Sequence, residues 1–349
     1  MTSRLYRIGV VGASSLAGKE LADELSESLL AASTVTLLDE DDTVAGQVTS
    51  AGDEPAFIQR LEPSSFDGMD FIFFAGDAEV TKRHWQEARR AGASIIDLTF
   101  ALETEKDALV FAPWASEAIE SKRKNTADLK TPAVIAAHPA VVMLSLVAGR
   151  LKAGFGLKSI AATVMEPASE HGRAAMDEMH QQTVSLLSFQ TLPREQYDAQ
   201  VSFNLLPALG ENAKVQLART ELRIRTQYAE LGEGDLPHLA LQMVQAPVFH
   251  GYVVSLLVEV ETPSTVAEVE KALESEHIDL VAEDGEPPSN LSASGQEEIM
   301  VRVVDDFGDA ERGTRFWLWL AADNLKLAAV NAIACAVELR RLRPSGRVQ

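Results

Sequence analysis

Residues Arg7 to Gly18, RIGVVGASSLAG, constrain the fold of this chain more than any other stretch. The run Ile8-Gly9-Val10-Val11 has the unbroken apolar character of a strand buried on both faces, and it gives way at Gly12 to small residues. Leu16-Ala17-Gly18-Lys19-Glu20-Leu21 then starts a helical period. A strand, a tight turn and a helix in that order set free N–H groups above the strand end, where nucleotide phosphates bind. The glycine fingerprint of such turns has three members, and here its positions read Gly12, Ser15 and Gly18. The middle glycine ordinarily lets the backbone approach a pyrophosphate, so Ser15 either obstructs that approach or donates its hydroxyl to it.

The following elements extend this start. Thr34 to Leu38 predicts a second strand, ending in Asp39-Glu40-Asp41-Asp42. An acidic residue there holds the ribose hydroxyls in NAD-type sites, whereas four carboxylates would repel the 2′-phosphate of NADP. A solvated acidic loop accounts equally well for three of the four. Asp70 to Gly76 and Ser94 to Leu98 are further strands, with a helix over Ala78 to Ala91 between them. Another helix is expected near Ser116 to Lys124, a surface connection over Lys122 to Lys130, and a last strand at Pro132 to Ala137. Strands alternating with helices at this spacing argue for a doubly wound parallel sheet with right-handed crossovers.

From Leu151 the texture changes. Ser159 to Met165 predicts a strand, Ala168 to Phe189 one long helix, Arg219 to Leu231 another helix, and Leu239 to Val248 and Tyr252 to Glu261 two paired strands. Thr265 to Glu274 is helical with Ser264 placed to cap it, Glu283 to Asn290 is irregular, and Ile299 to Val304 and Phe316 to Ala321 are strands. The last helix, Asp323 to Leu342, carries apolar residues at helical spacing and is expected to pack back on the first domain. The fold class is therefore α/β, a Rossmann-like doubly wound parallel sheet with an inserted α+β domain: residues 1–137 plus 323–349, and 138–322.

With 349 residues the chain has room for two domains, and its formal charge of -21 argues against binding nucleic acid or an anionic membrane surface. MTSRLYRIGV runs into the first strand without an apolar leader, so the expected location is the cytoplasm. One cysteine, Cys335, permits no internal disulfide and no cysteine-rich metal site, and no metal is expected.

Six segments in order resemble the aspartate-semialdehyde dehydrogenase family across the chain. They are VVGASSLAG, FFAGDAEVTKRHWQEARRAGASIIDLT, VIAAHPAVVML, SFNLLPALGE, VQAPVFHGY and AADNLKLAAVNAIACAVEL. The resemblance implies a Rossmann-like domain completed by the C-terminal helix, and an inserted domain through which such proteins dimerise. Active members reduce aspartyl phosphate to the semialdehyde with NADPH. The implied nucleotide contacts are Gly12, Ser14, Ser15, Leu16, Gly18, Asp39, Ala75, Gly76 and Asn324, for NAD or NADP.

The parent chemistry needs a thiolate, a hydride source and a histidine that moves protons. In the loop Ala137-His138-Pro139-Ala140-Val141 the nucleophile's place falls on Ala140 or Val141, according to a one-residue alignment choice. Neither has a nucleophilic atom. The steering glutamine matches Glu166, the phosphate-binding arginine Glu103, the carboxylate-binding arginine Gln245 and the acid-base histidine Tyr252, with His250 two positions earlier. Leu327 takes the place of a lysine, with Lys326 before it. Scaffold matches at Gly12, Gly18, Gly76, Pro139, Pro207, Pro247, Gly251, Asn324 and Asn331 are kept. The resemblance thus implies a homologue that has lost the parent reaction and acts as a homodimer or beside an active dehydrogenase subunit. The alternative is an NAD(P)-dependent oxidoreductase that works on an aldehyde or oxo group without a thioester. Two further groups stand out: His138, which inherits a cleft position and could touch a ligand, and the run Glu166, Glu170, His171, Asp177, His180, either an acid-base or metal cluster or a solvated helix start.

Overall fold

The computed structural model describes residues 6–28, 30, 34–52, 54–119, 127–128, 131–306, 308 and 310–342. In chain order the first elements are β1 (Arg7–Val11), α1 (Leu16–Glu27), β2 (Thr34–Asp39), β3 (Val48–Ala51), β4 (Glu54–Arg60), β5 (Phe71–Phe74), α2 (Ala78–Arg90), β6 (Ser94–Asp97), β7 (Leu109–Phe111), α3 (Pro113–Ala118) and β8 (Val134–Ala136). Then come α4 (Pro139–Phe155), β9 (Leu157–Glu166), α5 (Gly172–Leu187), α6 (Leu217–Gly232), β10 (Leu239–Gln245), β11 (Tyr252–Ser264), α7 (Val266–Leu273), β12 (Ile278–Leu280), β13 (Ile299–Asp305), β14 (Gly313–Ala322) and α8 (Asn324–Leu339).

The chain divides into two compact units, residues 1–113, 122–137 and 328–349, and residues 114–121 and 138–327. In the first, eight strands run in the order β3-β4-β2-β1-β5-β6-β8-β7, parallel except for the β3–β4 hairpin. Ile8, Val10, Phe71 and Phe73 are completely buried here, and Ala329, Ala332, Cys335 and Ala336 of α8 join the same core. Each fully buried Ile, Val or Phe side chain contributes about 1.5–3 kcal/mol over an exposed one. This Rossmann-like sheet is the fold the opening strand and turn call for.

The second unit holds a mixed six-stranded sheet, β10-β9-β11-β14-β13-β12. Here three sequence expectations are corrected. The segments Leu239–Val248 and Tyr252–Glu261 do not pair: β9 lies between them, parallel to β10 and antiparallel to β11. Ser264 ends β11, and Thr265 caps α7, in a reciprocal capping box with Glu268. The single helix over 168–189 is two pieces, a 3-10 turn at Ala168–His171 and α5, separated at Gly172, whose φ of 77° suits a residue without Cβ. Of the helix expected near residues 116–124, α3 covers residues 116–118 and begins earlier, at Pro113, while residues 120–124 lie outside the described residues, as does most of the connection over 122–130. Strands β3, β4, β7 and β12 had no expectation.

Helix α4 also had none. It is apolar on all sides, and twelve of its residues are buried, so no amphipathic stripe marks it in the sequence. His138 caps it and Pro139 opens it, which suits a residue with fixed φ and no N–H to lose. Among the described residues no helix is long and apolar enough to cross a membrane.

Candidate functional site

In the first unit the nucleotide turn keeps its backbone. Gly12 has φ 84°, a Cβ on it would lie 2.3 Å from the Cα of Gly76, and a Cβ on Gly18 would lie 2.2 Å from the Gly12 carbonyl oxygen. Both glycines are demanded by chain-on-chain packing. Ser15 takes a third course between obstruction and donation to a phosphate. Its Oγ accepts the Gly18 N–H at 2.8 Å as the cap of α1 and donates to the Ala75 carbonyl at 2.7 Å, so the hydroxyl turns inward.

A cleft of about 340 Å³ opens beside this turn, with Gly12, Ser14, Ser15, Asp39, Gly76 and Asp77 among its walls. Leu16, Gly18 and Ala75 are not among its lining residues. Asp39 closes β2 and is engaged: its Oδ2 accepts the Ser14 Oγ–H at 2.6 Å and the Ser14 N–H at 3.1 Å, and its Oδ1 accepts the Asp41 N–H at 3.1 Å. The neighbouring Glu40 carboxylate pairs with Arg83 and with His84 at 3.1 Å, both on α2. Those bonds, the one from His84 foremost, hold its carboxyl below the usual value against the effect of burial. Glu103 is exposed on the loop after β6, and burial, with a smaller push from Glu103, raises the carboxyl of the enclosed Asp97.

In the second unit the strand ends assemble a buried polar row. Gln245 of β10 stands opposite Glu166 of β9, and the register of Val253 against Met165 places Tyr252 of β11 on the other side of Glu166. Opposed residues share a face of the sheet, so the three side chains stand side by side. All three are fully buried. The segment after β9 brings Glu170 and His171 onto this row, and the start of α4 brings His138.

Glu170 is the hub. Its Oε1 lies 3.0 Å from the Nε2 of His138, and the Tyr252 hydroxyl hydrogen-bonds to it as well as lying 3.3 Å from that same nitrogen. The Nδ1 of His138 accepts the Ala140 N–H at 3.2 Å, and its Nε2 faces the Glu170 carboxylate. Burial pushes the Glu170 carboxyl up. The adjoining His138 imidazole and its hydrogen bond, His171 and the Tyr252 hydroxyl outweigh that and bring it down to about 2. Burial first, then the charges of Glu170 and Glu166, drive the Tyr252 phenol far above its ordinary value. His171 lies 2.8 Å from Glu166, whose attraction overcomes burial and raises the imidazole pKa.

Other expected site residues stand elsewhere. Ala140 and Val141 lie in the first turn of α4 with no exposed surface. Gln245 donates to the Glu166 and Ala246 carbonyls at 3.0 and 3.2 Å and offers no charge to a carboxylate. Asn324 accepts from Ser169 Oγ and from the Gly251 N–H, both at 3.0 Å. Asp177 and His180 sit on the exposed side of α5, so the cluster gains only Glu166, Glu170 and His171 from that run. Leu327 is buried and apolar. His138, not His250, faces the Tyr252 hydroxyl. The sulfur of Cys335 is fully buried in the first unit's core, and burial raises its thiol pKa. Among the described residues no three His, Cys, Asp or Glu side chains could hold a metal ion. Two participants had no sequence signal: Arg223 of α6, whose charge reaches His171 and Tyr252, and the Arg83-His84 pair.

A Rossmann-like unit with a glycine turn, joined to a mixed-sheet unit that carries a polar row at its strand ends, defines a two-domain dehydrogenase architecture. The comparisons agree. Residues 7–122 match the family model "Semialdehyde dehydrogenase, NAD binding domain", and residues 149–327 match "Semialdehyde dehydrogenase, dimerisation domain". A USG-1 protein homolog of Pseudomonas aeruginosa is 30% identical over 95% of this chain and 96% of its own length. The aspartate-semialdehyde dehydrogenase of Bacillus subtilis is 24% identical over 97% of this chain and 99% of its own. The structure of a probable aspartate-semialdehyde dehydrogenase from P. aeruginosa superposes with a TM-score of 0.81 at 28% identity, covering 96% of this chain and 98% of that one. The chain belongs to the semialdehyde dehydrogenase family.

Proposed function

We propose that this chain is a dimeric, cytoplasmic member of the family that does not carry out the thioester reaction of aspartate-semialdehyde dehydrogenases. One observation carries the reading: hydrocarbon, completely buried, occupies both positions open to the nucleophile, while the sole thiol is sealed in the core of the first unit. An acyl-enzyme needs a thiolate within reach of substrate, and a buried, raised-pKa thiol supplies none. The polar row supports the same reading, because Glu170, His138 and Tyr252 bond to one another rather than standing free for substrate. The charge reversal at Glu103 and the neutral Gln245 remove the cations that the resemblance assigns to holding a phosphate and a carboxylate.

The partner in this reading is a second copy of the chain. Trp317, Trp319 and Val304 present an apolar face on neighbouring strands β13 and β14, with exposures of 41%, 36% and 48%. Partly exposed aromatic surface of this kind is enriched at interfaces and supports this reading. Sedimentation at micromolar concentration should give a dimer.

The decisive assay is phosphate-dependent oxidation of aspartate semialdehyde, run with NAD and with NADP on the wild type and on Cys335→Ser. No turnover above background is expected in either. Turnover in the wild type that Cys335→Ser abolishes would overturn the proposal. Turnover that survives in that variant would instead favour hydride chemistry without a covalent intermediate, which the retained nucleotide turn keeps open.

A further inference from the structure

We propose that the cleft at the ends of β1 and β2 takes the adenosine half of a dinucleotide whose 2′-hydroxyl is free, that it excludes a 2′-phosphate, and that Glu40 sets this choice. The inference concerns binding alone and stands whether or not the chain turns anything over.

The residues present fit the unphosphorylated ribose. Gly12 and Gly18 keep the turn tight, and the inward bond of Ser15 keeps its hydroxyl off the path of an approaching ligand. Asp39 lies 21 residues beyond Gly18 at the end of β2, the place from which a carboxylate accepts ribose hydroxyls. Its two oxygens offer about four lone-pair sites, and the three donors from Ser14 and Asp41 leave one open. Since the Ser14 hydroxyl spends its proton on Asp39, its lone pairs face outward as a second acceptor.

A 2′-phosphate meets the opposite chemistry. Asp39, Glu40, Asp41 and Asp77 all line the cleft, and none of its lining residues is basic. The nearby cations are already taken. Arg60 stands opposite Asp39 in the β2–β4 register but pairs with Asp42 at 3.1 Å, while Arg83 and His84 both turn to Glu40. NADP sites place an arginine where this chain has neutralised two. Glu40 is the control point, because one carboxylate both adds negative charge and engages two basic side chains of α2, Arg83 and His84.

The test is calorimetric titration of the full chain with NADH and NADPH, repeated with 5′-AMP and 2′,5′-ADP as adenosine-half probes. NADH should bind at least tenfold more tightly than NADPH, a difference of about 1.4 kcal/mol. Glu40→Gln should raise NADPH affinity with little change for NADH, and Arg83→Ala added to that variant should cancel the gain. Melting curves confirm that each variant is folded. Equal or tighter binding of NADPH by the wild type would overturn the inference, as would failure of NADH and 5′-AMP to bind at millimolar concentration. Because no assay here measures turnover, its outcome is separate from that of the semialdehyde assay.

Discussion

The turn at Gly12–Gly18 and the row Gln245–Glu166–Tyr252 sit at the strand ends of their respective sheets, yet different physics holds them. At the turn, backbone meets backbone: the contacts a Cβ would make with Gly76 and with the Gly12 carbonyl leave no alternative residue. In the row, side chains satisfy one another, and many combinations of polar groups would serve. Geometry of the first kind withstands the loss of a reaction, because the fold needs it. Chemistry of the second kind is free to change once no substrate requires it, provided the buried groups find new partners.

The harshest way to break the first region is to add one methyl group. Gly12→Ala forces a left-handed backbone on an L-residue and drives its Cβ into the Gly76 backbone, neither of which can yield. Strain and overpacking together should cost about 3 kcal/mol or more. Urea unfolding measures it, and a loss below about 1 kcal/mol would mean that the turn is softer than its contacts imply.

The comparable blow to the second region is Glu170→Ala, which leaves the Nε2 of His138 and the Tyr252 hydroxyl buried without their carboxylate partner. A cost of about 3 kcal/mol is expected. The same hub sets an acid limb. With the carboxyl at about 2 in the folded chain against an ordinary 4.5, its contribution is present above pH 4.5 and disappears as the pH falls through about 2. At about 1.4 kcal/mol per unit, roughly 3 kcal/mol is lost across that window. Glu170→Gln should flatten this limb, and an unchanged profile would remove Glu170 from its cause.

His171 supplies the opposite limb. Its pKa is raised by Glu166, so its contribution is complete below the ordinary histidine value of 6.5 and disappears as the pH rises through the raised one. Stability should therefore fall from neutral toward alkaline pH in the wild type and less so in His171→Gln.

This contrast also explains what could be read from the residues. The turn was legible because glycine spacing, a buried strand and a helical period are local signals, and Ala140 and Val141 are legible as hydrocarbon side chains from their residue types alone. The partners of the row were not. Glu170 and His138 are 32 positions apart, and Glu166 meets Tyr252 only through the register of two strands. Helix α4 escaped for a related reason: a helix buried on every side shows no stripe. The inserted strand β9, parallel to one neighbour and antiparallel to the other, defeated a pairing inferred from sequence order.

The mildest test addresses Ser15, where the two kinds of physics meet. Its hydroxyl caps α1 and reaches Ala75, so Ser15→Ala should lose about 1 kcal/mol, the usual cost of a missing N-cap. Ser15→Gly restores the third glycine and, as a tolerated cap, should lose only a few tenths of a kcal/mol. Since the hydroxyl points inward, neither change should alter NADH affinity by more than about twofold, under 0.5 kcal/mol. A large gain for the glycine variant alone would show that the Ser15 Cβ, and not its hydroxyl, stands in the way of the pyrophosphate. The turn would then keep the backbone of a nucleotide site while refusing its ligand, and the difference between the two regions would narrow to one carbon atom.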